Sequence, residues 1–173
     1  MAREHRFGRS NQYGKAGEEA VLEFLQKTLP DLKKIEDVSN DPIYQQKDID
    51  AIVHFNNGRK VPIEIKTDSY ANTGNIAFES WSSIKEGIPG CMYKTECEEL
   101  FYYFPDSGEL YQIKMAPYRE WVEKLAERNV FRVIQVPNVS WGKEYFSENY
   151  LIPKVMLKAS LKKYVTVHNL KQA

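Results

Sequence analysis

Two short charged stretches carry the chemistry that is easiest to read from this chain. Lys47-Asp48-Ile49-Asp50 opens an alternating segment, and Glu64-Ile65-Lys66 begins fourteen residues after Asp50. Residues two apart on a strand share a face, so Glu64 and Lys66 point one way while Val61, Ile63 and Ile65 point into a core. Asp50 likewise lies opposite its own strand's apolar set, Ala51, Val53 and Phe55. With Asn56-Asn57-Gly58 as the connecting loop, paired positions sum to 114 and Asp50 stands directly across from Glu64. Side chains so opposed have Cβ atoms about 4.5–5.5 Å apart. A two-residue loop would instead oppose Asp50 to Ile65 and mix polar with core positions, so that register is rejected.

Two carboxylates this close repel unless one is protonated or a cation sits between them. A hard divalent ion with oxygen ligands resolves the repulsion. Asp50, Glu64 and the outward carbonyl of Ile65 would hold Mg²⁺, with Mn²⁺ able to replace it and water completing the shell. Such an ion polarises a phosphoryl oxygen and acidifies a bound water. Lys66 would hold or activate that water and offset charge in the transition state. Phosphodiester hydrolysis needs those parts. An E-x-K on its own is more often one rung of a solvated salt-bridge ladder, and two features raise this one above that. The hairpin register brings the acids together, and Glu18, on the preceding helix, precedes Val21, Leu22 and Leu25 by three, four and seven residues. An acid on that otherwise apolar face sits at its rim or is directed at something buried and positive.

These side chains need elements to position them. Val21, Leu22, Leu25 and Leu29 fall at helical spacing, predicting a helix from Tyr13 to Leu29 closed by Pro30. Asp31 to Lys47 reads as a polar surface stretch with a turn at Ser39-Asn40-Asp41-Pro42. After the Asp50–Ile65 hairpin come a turn-rich stretch from Asp68 to Asn75 and a third strand from Ile76 to Trp81. Thr95-Glu96-Cys97-Glu98 has capping-box spacing and predicts the start of a short helix or a turn. Leu100–Phe104 and Glu109–Lys114 read as a strand pair about Pro105-Asp106-Ser107-Gly108. An amphipathic helix follows, with Pro117 near its start and Trp121, Val122, Leu125 and Ala126 as its buried stripe. Phe131–Val136 reads as one more strand, and the stretch from Trp141 is left unassigned. The order predicts an α/β sandwich around a mixed sheet, one domain over residues 1–173 with its core at about 13–136 and a lysine-rich tail at 151–173.

Gly14-Lys15-Ala16-Gly17-Glu18, then Asp50, then Glu64-Ile65-Lys66 resembles the PD-(D/E)xK nuclease superfamily. The layout is most similar to its small members, the Holliday-junction resolvases and phage-type nucleases. The resemblance implies a restriction-endonuclease-like fold, a central mixed β-sheet flanked by helices. It also implies a Mg-dependent endodeoxyribonuclease acting on duplex or branched DNA, with a homodimer as its working form. Carried over, the metal-binding roles fall on Asp50 and Glu64, the nucleophilic water on Lys66, and the helix glutamate on Glu18. Ile49 stands where the motif has proline, and Asp48, on the face of Asp50, is the alternative ligand. The motif covers residues 14–66. Thr73–Glu79 is similar to the segment after the catalytic lysine in phage-type members, which would place Glu79 at the edge of the site.

Composition bounds the remaining choices. A chain of 173 residues that is 42% hydrophobic and 13% aromatic can build a core without staples. No apolar run approaches the roughly 18 residues of a membrane span. The opening MAREHRFGRS lacks a signal peptide's apolar centre, and Cys91 and Cys97 form no disulfide framework or zinc spacing; a cytoplasmic protein is expected. Net charge is zero, but residues 1–15 carry +3, residues 151–173 carry +5, and the middle carries −8. Basic ends on an acidic middle suit either phosphate-gripping arms or merely solubilising termini. Lys94 and Lys143 are candidate phosphate contacts if the site reading holds. Tyr93 and Phe101–Phe104 read as packing rather than base stacking, and His54 as a half-exposed strand residue rather than a ligand. Two other functions stay open: a catalytically inactive nucleic-acid-binding or interaction module, and a small-molecule metal enzyme.

Overall fold

The computed structural model describes residues 4–140 and 143–171, with backbone alone for residues 4–11 and 140. Arg3 of the basic N-terminal group, and Trp141, lie outside the described residues. Helix α1 (Glu4–Thr28) starts earlier than its apolar stripe predicts, because residues 4–12 contain Phe7 as their one apolar side chain. Strand β1 (Leu32–Asp37) replaces the expected polar surface stretch. Its lysines, Lys33 and Lys34, mark it as a sheet edge, where charge discourages further pairing. A single turn, α2 (Pro42–Gln45), is capped by the Asp41 carboxylate, which accepts from the Ile43 amide at 2.8 Å.

The hairpin forms as read, from β2 (Ala51–Phe55) and β3 (Lys60–Thr67). Then come β4 (Asn75–Ser83), β5 (Ile88–Pro89) and a short helix, α3 (Cys91–Lys94). Thr95 ends α3 instead of starting a helix. Its amide donates to the Cys91 carbonyl, and its hydroxyl donates to the Asp48 carbonyl at 2.7 Å. Strands β6 (Glu99–Phe104) and β7 (Glu109–Lys114) pair as expected, and α4 (Met115–Ala126) buries Met115, Tyr118 and Val122. The last elements are β8 (Arg132–Ser140), β9 (Lys143–Pro153), α5 (Lys154–Ser160) and β10 (Val165–Asn169).

Two sheets result. The first is mixed, in the order β1-β2-β3-β6-β7-β10, with β3 and β6 parallel and every other pair antiparallel. The second is antiparallel, in the order β5-β4-β9-β8. One face of the first sheet packs on α1, through Val21 and Leu25 against Val53, Ile63, Ile65 and Phe101. Its other face, at β6 and β7, packs on the second sheet together with α4 and α5. The mixed sheet is the expected one. A second sheet, however, covers much of the face where the resemblance implies helices alone.

The folded core also runs past residue 136. Ile152 and Leu157 are wholly buried, and β10 pairs with β7, so residues 151–169 are part of the sheets and not a tail. Lys154, counted among the basic residues of that segment, is buried. It lies 3.5 Å above the Phe104 ring and pairs with Glu109 at 2.8 Å, so it cannot serve as a phosphate-gripping arm. No helix among the described residues is long and apolar enough to cross a membrane.

Candidate active site

The hairpin turn sets everything above it. The Gly58 amide donates to the Phe55 carbonyl at 3.0 Å, the Phe55 amide donates to the Arg59 carbonyl at 2.9 Å, and Gly58 takes φ +86°. That left-handed geometry closes the three-residue loop read from the sequence. Val53 then pairs with Val61 and Ala51 with Ile63, and Asp50 and Glu64 are the next residues along the two chains beyond that last pair.

At Asp50 a side chain takes over from the ladder. The Asp50 amide donates to the Ile63 carbonyl at 2.9 Å, and the Asp50 carboxylate accepts from the Ile65 amide at 2.7 Å. The Pro62 carbonyl accepts from Glu98, on the β6 side, and the Ile63 carbonyl accepts from Asp50, on the β2 side. Strand alternation therefore turns the main-chain groups of Ile65 towards Asp50, its carbonyl included.

Glu64 is 3% exposed. One of its oxygens, Oε1, is 2.5 Å from Lys66 Nζ; the other, Oε2, is buried without a hydrogen-bond partner. Burial pushes the Glu64 carboxyl up to about 8, with Asp50 acting in the same direction and Lys66 against it. Burial by itself would lower the Lys66 pKa. The Cys91 sulfur, the Glu64 carboxylate and Asp50 outweigh it and hold the ammonium well above the ordinary lysine value. Lys66 is thus a permanent cation, suited to donating hydrogen bonds and offsetting charge, not to taking a proton.

Gly17 brings α1 into the site. A Cβ there would lie 2.1 Å from Thr67 Oγ1 and 2.6 Å from its Cγ2, so only glycine lets the helix approach β3 this closely. Glu18 follows directly. Burial raises its pKa, Asp50 adds to the rise and Lys66 opposes it, so the helix acid shares the electrostatic surroundings of the strand pair. The structure therefore brings Glu18, Asp50, Glu64, Ile65 and Lys66 together.

Asp48 stands apart from the strand. It adopts φ +46°, and its carboxylate pairs with Lys94 at 3.1 Å, while it raises the Glu64 pKa together with Asp50. Glu79 accepts from the Cys91 amide at 3.0 Å and from the Ser82 hydroxyl at 2.9 Å, so it ties β4 to the first turn of α3. Cys91, whose thiol burial pushes up to about 12, is the neighbour of Lys66 that sequence reasoning missed. No spacing signals it, because only the excursion through β4 and α3 returns it to β3. Both cysteines are free. His54 pairs with Glu36 at 2.8 Å, and Phe101 to Phe104 are all buried, so these residues pack as read. Lys143 is exposed at the start of β9.

Among the described residues, no group of three or more His, Cys, Asp or Glu side chains is arranged to hold a metal ion. The acidic set at the strand pair is two carboxylates and a main-chain carbonyl. Compared with known proteins, the chain matches no family model, no curated protein and no solved structure.

Proposed function

We propose that this chain is a metal-dependent nuclease of the PD-(D/E)xK type that hydrolyses DNA phosphodiesters, on a restriction-endonuclease-like core. The observation that carries the reading is Glu64 Oε2, a buried carboxylate oxygen without a partner, within electrostatic reach of Asp50 and beside Lys66. Buried polar groups are nearly always satisfied, and an exception asks for an explanation such as an ion. The donor set fits a hard divalent cation: Asp50, Glu64 and the Ile65 carbonyl would hold Mg²⁺ or Mn²⁺. When bound, that ion supplies charge neutralisation at the phosphate and acidifies a water. Lys66 donates to the attacking water and offsets the charge that builds on the phosphoryl oxygens. Glu18, its pKa already raised, accepts a hydrogen bond from the same water or adds a ligand. Two free thiols suit a reducing cytoplasm, and a homodimer would set one site on each strand of a duplex.

The zero net charge and the absence of a three-residue metal group among the described residues favour a second reading, a nucleic-acid-binding or interaction module without catalysis. One experiment separates the two. Supercoiled plasmid and a four-way junction are incubated with Mg²⁺, Mn²⁺ or EDTA, beside Glu64→Ala. Metal-dependent cutting that falls at least a hundredfold in the variant is expected, at the scale of losing one charge-stabilising group. No cutting of either substrate, with no rise in melting temperature on adding metal, would leave the binding module.

A further inference from the structure

Towards the hairpin turn, with Pro62 two residues before Glu64 on β3, lies a cavity of about 260 Å³. Ile52 and Pro62, which oppose each other across the hairpin, line it together with Ile49. Residues two apart on a strand are about 6.8 Å apart, a spacing that a single nucleotide bridges. Tyr44, which packs against the Val38–Ile49–Ile52 cluster, lines it as well.

The rim carries both signs of charge. Lys47 pairs with Glu96 at 2.6 Å on one side, and His54 pairs with Glu36 at 2.8 Å on the other. Lys60, exposed at the mouth, pairs with no acid among the described residues. A simple anion or cation would call for a rim of one sign. A planar ring whose edge both donates and accepts suits this rim, and nucleobases have such edges. The slot is small for a cofactor and adequate for one ring system.

We infer that this cavity binds a nucleobase carrying a phosphate, with the base over Ile52 and Pro62 and against Tyr44, and the phosphate on Lys60. The inference rests on the nuclease reading for its purpose, which is to seat an unpaired nucleotide next to the bond to be cut. The same chemistry could come from a free nucleotide.

The test is calorimetry of the full chain in EDTA, where no cutting interferes. One arm titrates 2′-deoxynucleoside 5′-monophosphates; the other compares a duplex bearing one unpaired nucleotide with the same duplex bearing an abasic site. Monophosphate binding is expected, weakened roughly tenfold by Tyr44→Ala, the scale of one lost base–aromatic stack. Lys60→Gln should weaken it severalfold, and Tyr44→Phe, which keeps the ring, should bind as the parent does. A preference for the unpaired nucleotide over the abasic site identifies the strand as the source, and equal affinity for the two identifies the free nucleotide. No binding at millimolar monophosphate, or binding that neither Tyr44→Ala nor Lys60→Gln alters, overturns the inference. Intact monophosphate binding in a protein that cuts neither plasmid nor junction would retire the nuclease reading alone.

Discussion

The two sheets sort their residues by different rules. At the centre of the six-stranded sheet burial follows apolar character: Leu100 to Phe104 are all inside, as expected of a strand covered on both faces. In the four-stranded sheet the relation holds for Ile76, Phe78 and Ile152, which are inside, but fails elsewhere. Ser80, Ser83 and Ser147 are buried, while Trp81 is 40% exposed and Phe146 is 48% exposed. A bulge between Glu79 and Trp81 shifts the alternation of β4 and helps to turn Trp81 outward. The serines can be inside because each finds a local partner. The Ser80 hydroxyl donates to the Glu148 carboxylate at 2.9 Å, Ser147 accepts from Asn138 at 3.1 Å, and Ser83 accepts from the Glu86 amide at 3.4 Å. Buried polarity in the second sheet is therefore satisfied structure. The first sheet buries two acids: Glu99 is satisfied by Lys114 and Gln112, whereas Glu64 is left with one oxygen unpaired. That contrast singles out Glu64 for chemistry.

The largest effect should come from the interior of the first sheet. Phe104 is wholly buried, with Tyr102 at 5.2 Å, Tyr111 at 6.1 Å and the Lys154 ammonium over its ring. Phe104→Ala is expected to cost about 3–5 kcal/mol, read by denaturant unfolding. A loss below about 1 kcal/mol would mean that this sheet is as loosely sorted as the other.

Glu64 itself makes a pH-dependent contribution, smaller but distinctive. Its folded pKa of about 8 lies above the ordinary carboxylate value of roughly 4.3. Between those two values the folded state keeps a proton that the unfolded chain has released. In EDTA, stability should therefore fall as pH rises through that window, by on the order of a few kcal/mol, and level off above pH 8. Melting curves from pH 5 to 9 should show the decline in the parent and lack it in Glu64→Gln. Divalent-metal affinity should climb across the same range, because the ligand must lose its proton. Equal slopes in the two proteins would remove Glu64 as the outlier.

Much of the site is legible because one local rule sets it. Alternation marks β2 and β3, the Asn56-Asn57-Gly58 loop fixes the register, and the register brings Asp50 to the end of the ladder beside Glu64. The left-handed backbone of Asp48 and its tie to Lys94 distinguish it from Asp50, and no pattern encodes either. Cys91 arrives beside Lys66 only through long-range topology. The end of the chain was illegible for a different reason. Val165 and Val167 alternate, but the lysines around them read as a solvated tail, and Lys154 hides its charge between an aromatic ring and Glu109. Strand β1 was obscured likewise, since an edge strand is protected by the very lysines that make it look like a loop.

Gly17→Ala tests how the first sheet is joined to its helix. The new Cβ would meet Thr67 Oγ1, Cγ2 and Cβ at 2.1, 2.6 and 2.9 Å, so α1 must move away from β3. A loss of about 1–3 kcal/mol is expected, with reduced cleavage because Glu18 moves with the helix. Thr67→Gly in the same chain should recover part of both. Stability lost without recovery in that double variant would place the strain elsewhere than at this contact.

The smallest effect should come from the matching residue type on the other sheet. Phe146 lies opposite Pro137, and its carbonyl accepts from the Ile84 amide, so its main chain is engaged while its ring is half in water. Phe146→Ser removes a ring that buries little and leaves those backbone contacts intact. The expected change is within about 0.5 kcal/mol, the range for surface positions. Paired with Phe104→Ala, it asks whether one residue type differs between the sheets as burial requires. A cost for Phe146→Ser above about 2 kcal/mol that grows with protein concentration would mean that a second copy covers this face in solution. The contrast between the sheets would then be between a core and an interface, with polarity sorting both.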